Sequence, residues 1–215
     1  MSAPGPYRDS SGKSLTDYPR PSVAVDTAVL TVHNGRLSVL LVDSGADERL
    51  PGTFVHPGET LRDAALRALR IKADVQGLDP RQLRVFDDPD RDDRGWVMSV
   101  AHVDAVRADQ IPLTDRTRLV TVDDLPALKY DHAAIVAHAA EALRADYRHR
   151  PDPWQLLVPS AEGFTIRDLR QLHESVLDER LVADTFRRTM LPGLRTTGEL
   201  RRGVRGKPAE LYVRA

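Results

Sequence analysis

PGTFVHPGETLRDAALRALRIKADV, residues 51–75, decides how the rest of this 215-residue chain is read. Phe54 and Val55 suit a short strand, and Gly58 suits the tight turn that must follow it. Thr60, with Asp63 three residues later, approximates a capping box and so predicts where a helix starts. Leu61, Ala64, Ala65 and Leu69 recur at helical spacing and give that helix one apolar stripe. Ala68, Ile71 and Lys72 stand in an i, i+3, i+4 relation and are expected on one shared face.

The segment resembles the box of Nudix hydrolases, G-x5-E-x7-R-E-U-x-E-E-x-G-U with U aliphatic. Glu59 falls on the first Glu, Arg67 on the Arg and Leu69 on the aliphatic position. The other acids fall on Ala68, Ile71 and Lys72, the first Gly on Thr53 and the last on Asp74. In a Nudix enzyme those carboxylates present oxygen ligands to hard divalent cations, which polarise a pyrophosphate and activate water. A methyl, a branched aliphatic and an ammonium cannot do this, and Lys72 would repel a cation placed beside it. The resemblance therefore implies a kept loop-helix-loop frame with no catalytic residues, no metal and no cofactor. Arg67 and Lys72 become candidates for neutralising a ligand's phosphates where metal once did, which would allow binding without cleavage.

Composition narrows the classes further. Formal net charge is -1 and no cysteine is present, so there is no global field for a polyanion, no disulfide framework and no thiol nucleophile. No apolar run reaches the length of a membrane span, and residues 1–21, rich in Pro, Gly, Ser and charge, are expected to form a disordered tail. They lack the apolar core of a signal peptide; a cytoplasmic protein with no membrane partner is the expectation. Charge is not evenly spread, because residues 180–215 hold nine Lys or Arg against three Asp or Glu.

Residues 22–32 and 37–42 predict a hairpin closed at His33-Asn34-Gly35-Arg36, since Asn-Gly is a strong tight-turn pair. Residues 44–49 are expected as a loop, and residues 83–86 and 97–106 as further strands around the charged loop 87–96. That loop lacks the spacing and terminal Glu of an EF-hand and is placed near the mouth of a ligand cleft. Its Asp92-Asp93-Arg94-Gly95-Trp96 resembles the D-x-R-G-[WR] piece of Nudix regulators and their hydrolase relatives, which makes Arg94 and Trp96 candidates for positioning box or ligand. Residues 125–148 predict one long Ala-rich helix, within which Asp131-His132 and Ile135 resemble the D-H-x-x-I close of the same family. Asp131 would cap that helix, and His132 would pack near the cleft.

A breaker cluster at Arg150-Pro151-Asp152-Pro153 opens a second unit. Residues 154–158 predict a short strand, and Thr165 with Asp168 a capping box. Ile166, Leu169, Leu172, Val176 and Leu177 mark a first helix, and residues 182–191 a second with Val182, Phe186 and Met190 inward. Residues 194–200 and 209–213 predict two strands, joined by a basic, Gly-containing tip over residues 201–208. Two helices and then a basic hairpin is the element order of a winged helix-turn-helix. Its second helix can enter a major groove while the tip reaches phosphates. Thr185, Arg187, Arg188 and Thr189 on that helix, with Arg201, Arg202, Arg205 and Lys207 on the wing, are the candidate DNA contacts.

Phe186-Arg187-Arg188, then Thr197-Gly198-Glu199, then RRGVRGKPAELY at residues 201–212 resemble the closing pattern of NrtR-type Nudix-related transcriptional regulators, F-R-R … T-G-x-x-R-x-G-x-G-R-P-A-x-L-Y. Two departures stand out. Leu181-Val182-Ala183-Asp184 replaces the polar or basic run that often starts the recognition helix, and Arg205-Gly206-Lys207-Pro208 replaces G-R-P. The resemblance implies an α+β chain: a tail over 1–21, a Nudix-like α/β/α sandwich with a mixed sheet over 22–149, and a winged helix-turn-helix over 150–215. It further implies a homodimer on a palindromic double-stranded operator, sensing ADP-ribose or a related NAD or nucleotide-sugar metabolite through Glu59, Arg67, Lys72, Arg94, Trp96 and His132. Two other classes remain open at this point. One is a metal-dependent hydrolase of ADP-ribose-like substrates using Glu59 and acids of the 87–93 loop, and the other is a ligand-binding module whose winged unit contacts protein.

Overall fold

A computed structural model describes residues 7–45, 47–157, 163–201 and 208–215. Its first unit is a mixed sheet with a helix on each face. The strands are β1 (Ser22–His33), β2 (Arg36–Asp43), β3 (Glu48–Arg49), β4 (Gly52–Phe54), β5 (Arg81–Phe86), β6 (Val97–Ala105) and β7 (Thr117–Thr121). The main path runs β3-β2-β1-β6-β5, with β4 against β1 and β7 against β2. The β1/β6 pair is parallel from Ser22↔Val97 to Leu30↔Ala105, while β1/β2, β1/β4 and β5/β6 are antiparallel.

Alternation along β1 sorts its residues between two helices. Val25 and Val29 face α1 (Leu61–Ala73), and Ala28 and Leu30 face α2 (His132–Tyr147). Thr60 caps α1 as predicted, accepting from the Asp63 N–H at 3.2 Å. At its other end Asp74 takes the left-handed conformation (φ 53°) where the family motif places glycine. Ala68 is buried under this helix and Ile71 is 67% exposed; the three residues do not form one ligand-facing surface.

Three of the predicted segments differ from what is found, and Val182, expected inward, is 72% exposed. The long helix begins at His132 rather than at residue 125, because Tyr130 adopts positive φ (56°) and breaks the helical run before it. No strand occupies residues 154–157. The Asp152 carboxylate accepts the Leu156 and Leu157 N–H groups at 2.7 and 3.1 Å, so donors that a ladder needs are taken locally. The short strand β3 lies within the segment expected as loop.

The second unit comprises α3 (Ile166–Leu177), α4 (Ala183–Met190) and the hairpin β8 (Leu194–Arg201) with β9 (Ala209–Arg214). Thr165 and Asp168 form the predicted capping box at 3.0 and 3.1 Å. Phe164, Leu169, Phe186, Met190 and Tyr212 make its small core. It does not hang free: Leu156, Leu172 and Val176 join the same buried cluster as Ile135, Leu143 and Tyr147 of α2. No helix among the described residues is long and apolar enough to cross a membrane.

Candidate functional site

The degenerate box retains a clamp at its mouth. Arg67 Nε donates to Glu59 Oε1 at 2.6 Å and its Nη2 to Oε2 at 2.8 Å. The same guanidinium reaches the Thr53 hydroxyl at 3.2 Å and the Phe54 carbonyl at 2.9 Å. Glu59 also accepts the His56 N–H at 2.9 Å. Arg67's hydrogen bonds, then that N–H, hold the Glu59 carboxyl down at about 2. The pair thus ties the loop before α1 to the helix itself, and neither residue lines the adjoining cavity.

That cavity, about 210 Å³ and open to solvent, lies between β1, β4, the 87–96 loop and the start of α2. Of the predicted ligand residues, Lys72, Arg94 and His132 line it, and Trp96 does not. Arg94 donates to Asp92 at 2.8 and 2.7 Å, and its cation lies 5.2 Å from the Phe54 ring centre and 5.0 Å from that of Tyr130. Such a stack pre-orients a guanidinium while leaving its charge facing the cavity. Arg91, its side chain 3% exposed, donates to Asp131 at 2.5 Å. Asp131 therefore stands at the start of α2 but spends its carboxylate on Arg91 rather than on capping the helix. Asp26, Arg49, Phe54, Arg91 and Tyr130 also line the cavity and were not among the expected ligand residues; Phe54 and Arg91 lie in the strand and loop expected beside it, and Asp26 carries a signal of its own, an acid on the inward side of an apolar alternating strand.

Asp26 forms the floor. It accepts Ser99 Oγ at 2.6 Å and lies 3.3 Å from His132 Nε2. The Leu50 N–H donates to His132 Nδ1 at 3.2 Å, which places the ring proton on Nε2. Burial pushes the Asp26 carboxyl up, but His132, Ser99 and Arg91 outweigh it and the net shift is downward. His132 has no free lone pair and joins α2 to the cavity floor. Above Asp26 runs Gly52, whose carbonyl accepts the Lys72 ammonium. Burial lowers the Lys72 pKa, Asp26 opposes this, and the cations Arg49, Arg67 and Arg94 reinforce it.

A divalent ion does not fit this donor set. Both carboxylates of the cavity are already hydrogen-bonded, and no group of three or more His, Asp or Glu suited to a metal occurs among the described residues. Hard cations need about six oxygens.

On the second unit, Thr185, Arg187, Arg188 and Thr189 are all exposed on α4. Thr185 and Thr189 border a groove with Tyr147 and Arg148, on the side towards the first unit. Arg187 Nη2 donates to the Tyr212 hydroxyl at 3.3 Å. Arg201 donates to Asp168 at 2.7 Å and to the Gly163 carbonyl at 3.1 Å, holding the wing to the cap of α3. Arg202, Arg205 and Lys207 lie outside the described residues.

Residues 21–141 match the NUDIX domain model and residues 157–213 the NrtR DNA-binding winged helix domain. The ADPR responsive transcriptional repressor NtrR of Acinetobacter baylyi is 28% identical over 211 residues, 92% of this chain and 83% of that protein. Shewanella oneidensis NrtR, crystallised with a 27mer DNA, aligns with a TM-score of 0.72 and 28% identity over 90% of this chain and 93% of its own. The NUDIX domain of that protein complexed with ADP ribose aligns at 0.53 and 26% identity, over 62% of this chain and 95% of its own. With both domain models matched in order, the chain belongs to the Nudix family, within its NrtR-type transcriptional regulators.

Proposed function

We propose that this protein is a DNA-binding transcriptional regulator whose Nudix cavity senses ADP-ribose or a related nucleotide metabolite and does not hydrolyse it. The observation that carries the reading is the end-to-end correspondence with a repressor named as ADPR responsive. Residues 22–149 form the effector-binding unit and residues 150–215 the operator-binding unit, acting as a homodimer where the chromosome lies, in the cytoplasm.

The cavity chemistry supports the sensing role. Arg49, Lys72, Arg91 and Arg94 surround it, and Phe54 and Tyr130 offer aromatic faces, a combination suited to phosphates and a base. Lys72 and Arg94 serve there directly, His132 supports the floor through Asp26, Glu59 and Arg67 hold the loop, and Trp96 flanks the mouth. Ala68, Ile71 and Lys72 in place of acids support loss of hydrolysis. On α4, Arg187 and Arg188 are the proposed duplex contacts, with Thr185 and Thr189 at the edge of that face beside the groove, while Arg201 positions the wing and Arg202, Arg205 and Lys207 are assigned to phosphates.

Fluorescence anisotropy with labelled duplex from upstream of the protein's own gene, across salt concentrations and with ADP-ribose added, tests this reading. Selective binding that weakens with salt and changes with ADP-ribose is expected. Absence of selective binding at low salt would overturn it, and metal-dependent release of AMP from ADP-ribose would establish the hydrolase instead.

A further inference from the structure

The cations around the cavity are not equivalent. Arg94 is matched by Asp92, Arg91 by Asp131 and Arg49 by Asp47. Lys72 is different: its ammonium donates to a neutral carbonyl, that of Gly52, and among the described residues no carboxylate stands within ion-pair distance of it. Asp26 lies near enough to be felt but is already occupied by Ser99 and His132. The Gly52 backbone also lies close over the floor. A side-chain carbon on residue 52 would fall 1.9 Å from Asp26 Oδ1 and 2.8 Å from the Val25 carbonyl, so only glycine lets the acceptor of Lys72 approach the floor this closely.

Arg67, the other cation considered for phosphate neutralisation, is engaged by Glu59, Thr53 and Phe54 through four hydrogen bonds and does not line the cavity. Resting on the functional reading above, we propose that Lys72 is a resident cation that replaces the divalent metal of Nudix sites, so that the cavity binds a pyrophosphate diester without metal. An ammonium keeps two N–H donors free beyond the one given to Gly52, and a positive charge held at the wall of a cleft attracts an anion placed there. Arg94, stacked on Phe54 and Tyr130, closes the other side. A built-in cation also removes the dependence on solution metal, so that such a cavity reports effector concentration alone.

Isothermal titration of the full chain with ADP-ribose, and separately with inorganic pyrophosphate, in EDTA and in magnesium, tests this. The wild-type protein should bind both probes equally in the two buffers. Lys72→Met should weaken both by about 10- to 100-fold, the loss expected for one charge-assisted hydrogen bond. Lys72→Glu should bind more weakly still in EDTA and recover in magnesium, and Lys72→Arg should retain most of the wild-type affinity. Thermal melting of each variant separates site loss from misfolding, and the charge-retaining variant keeps the test decisive if Lys72→Met unfolds. Wild-type binding that requires magnesium, or equal affinities for wild type and a folded Lys72→Met, would overturn the proposal and leave the regulator reading standing. Metal-free pyrophosphate binding without ADP-ribose binding would overturn the choice of effector instead and support Lys72. Failure to bind either probe in either buffer would overturn both.

Discussion

Gly52 shows how much a single residue constrains this site. Any side chain there collides with Asp26 Oδ1 at 1.9 Å, and Asp26 cannot retreat because Ser99 and His132 hold it. Gly52→Ala should therefore destabilise the protein by about 2 kcal/mol, the usual cost of overpacking, seen as a lower midpoint in urea. Nothing in the local sequence announced this, since the close approach comes from pairing with β1, 26 residues earlier at Asp26↔Gly52. Glu59 and Arg67 were legible, because the family motif preserves their spacing, but their engagement with each other was not. The clamp has a pH dependence whose sign is set by the depressed Glu59 carboxyl. It contributes fully above the ordinary carboxylate value of 4.5 and is lost as pH falls towards about 2. Hydrogen exchange of residues 53–60 should accelerate across that window, and Glu59→Gln should show the fast rate at every pH.

Elements with strong local determinants were readable: the capped helices α1 and α3, the Asn-Gly hairpin and the β8/β9 pair all carry their own turn or cap chemistry. Elements defined by distant partners were not. The edge strand β7 exists because Thr117–Thr121 pairs with β2, and the expected strand at 154–157 fails because one carboxylate captures its donors. The same holds for His173 on α3. It is fully buried between the Tyr147 and Phe186 rings, at 4.9 and 5.0 Å, and accepts the Asp152 N–H at 3.4 Å. Burial drives its pKa down to about 4, so it stays neutral in the fold. The unfolded chain takes up a proton near 6.5 that the folded chain refuses until about 4; stability is thus present above that window and lost as pH falls through it. The loss is on the order of 3 kcal/mol. Urea titrations at pH 7 and pH 4.5 should show it, and His173→Gln should flatten the slope between them.

At the scale of the molecule, α2 joins the two units. Its first residue, His132, sits in the cavity on Asp26, preceded by Asp131 on Arg91. Its last, Tyr147, donates its hydroxyl to Asp152 Oδ1 at 2.7 Å; burial, then the charge of Asp152, raises the phenol's pKa and keeps it a donor. Asp152, itself fully buried, also pairs with Arg214 on the wing strand and meets His173 of α3. A helix of 16 residues, at about 1.5 Å each, carries a displacement across roughly 24 Å. On the proposed function, a ligand that pulls on Arg91, Arg94 or Tyr130 tilts this rod, and Asp152 hands the motion to the winged unit. Tyr147→Phe removes one hydroxyl while leaving Arg214 to neutralise the buried carboxylate. Operator affinity without effector, and ADP-ribose affinity without DNA, should each stay within about threefold of wild type, whereas the ADP-ribose-induced change in operator affinity, a coupling typically of about 1–3 kcal/mol, should shrink. Anisotropy titrations of wild type and variant, with and without ADP-ribose, separate the three quantities. An undiminished response in the variant would mean that the signal reaches the DNA-binding unit by a route other than the Tyr147–Asp152 contact.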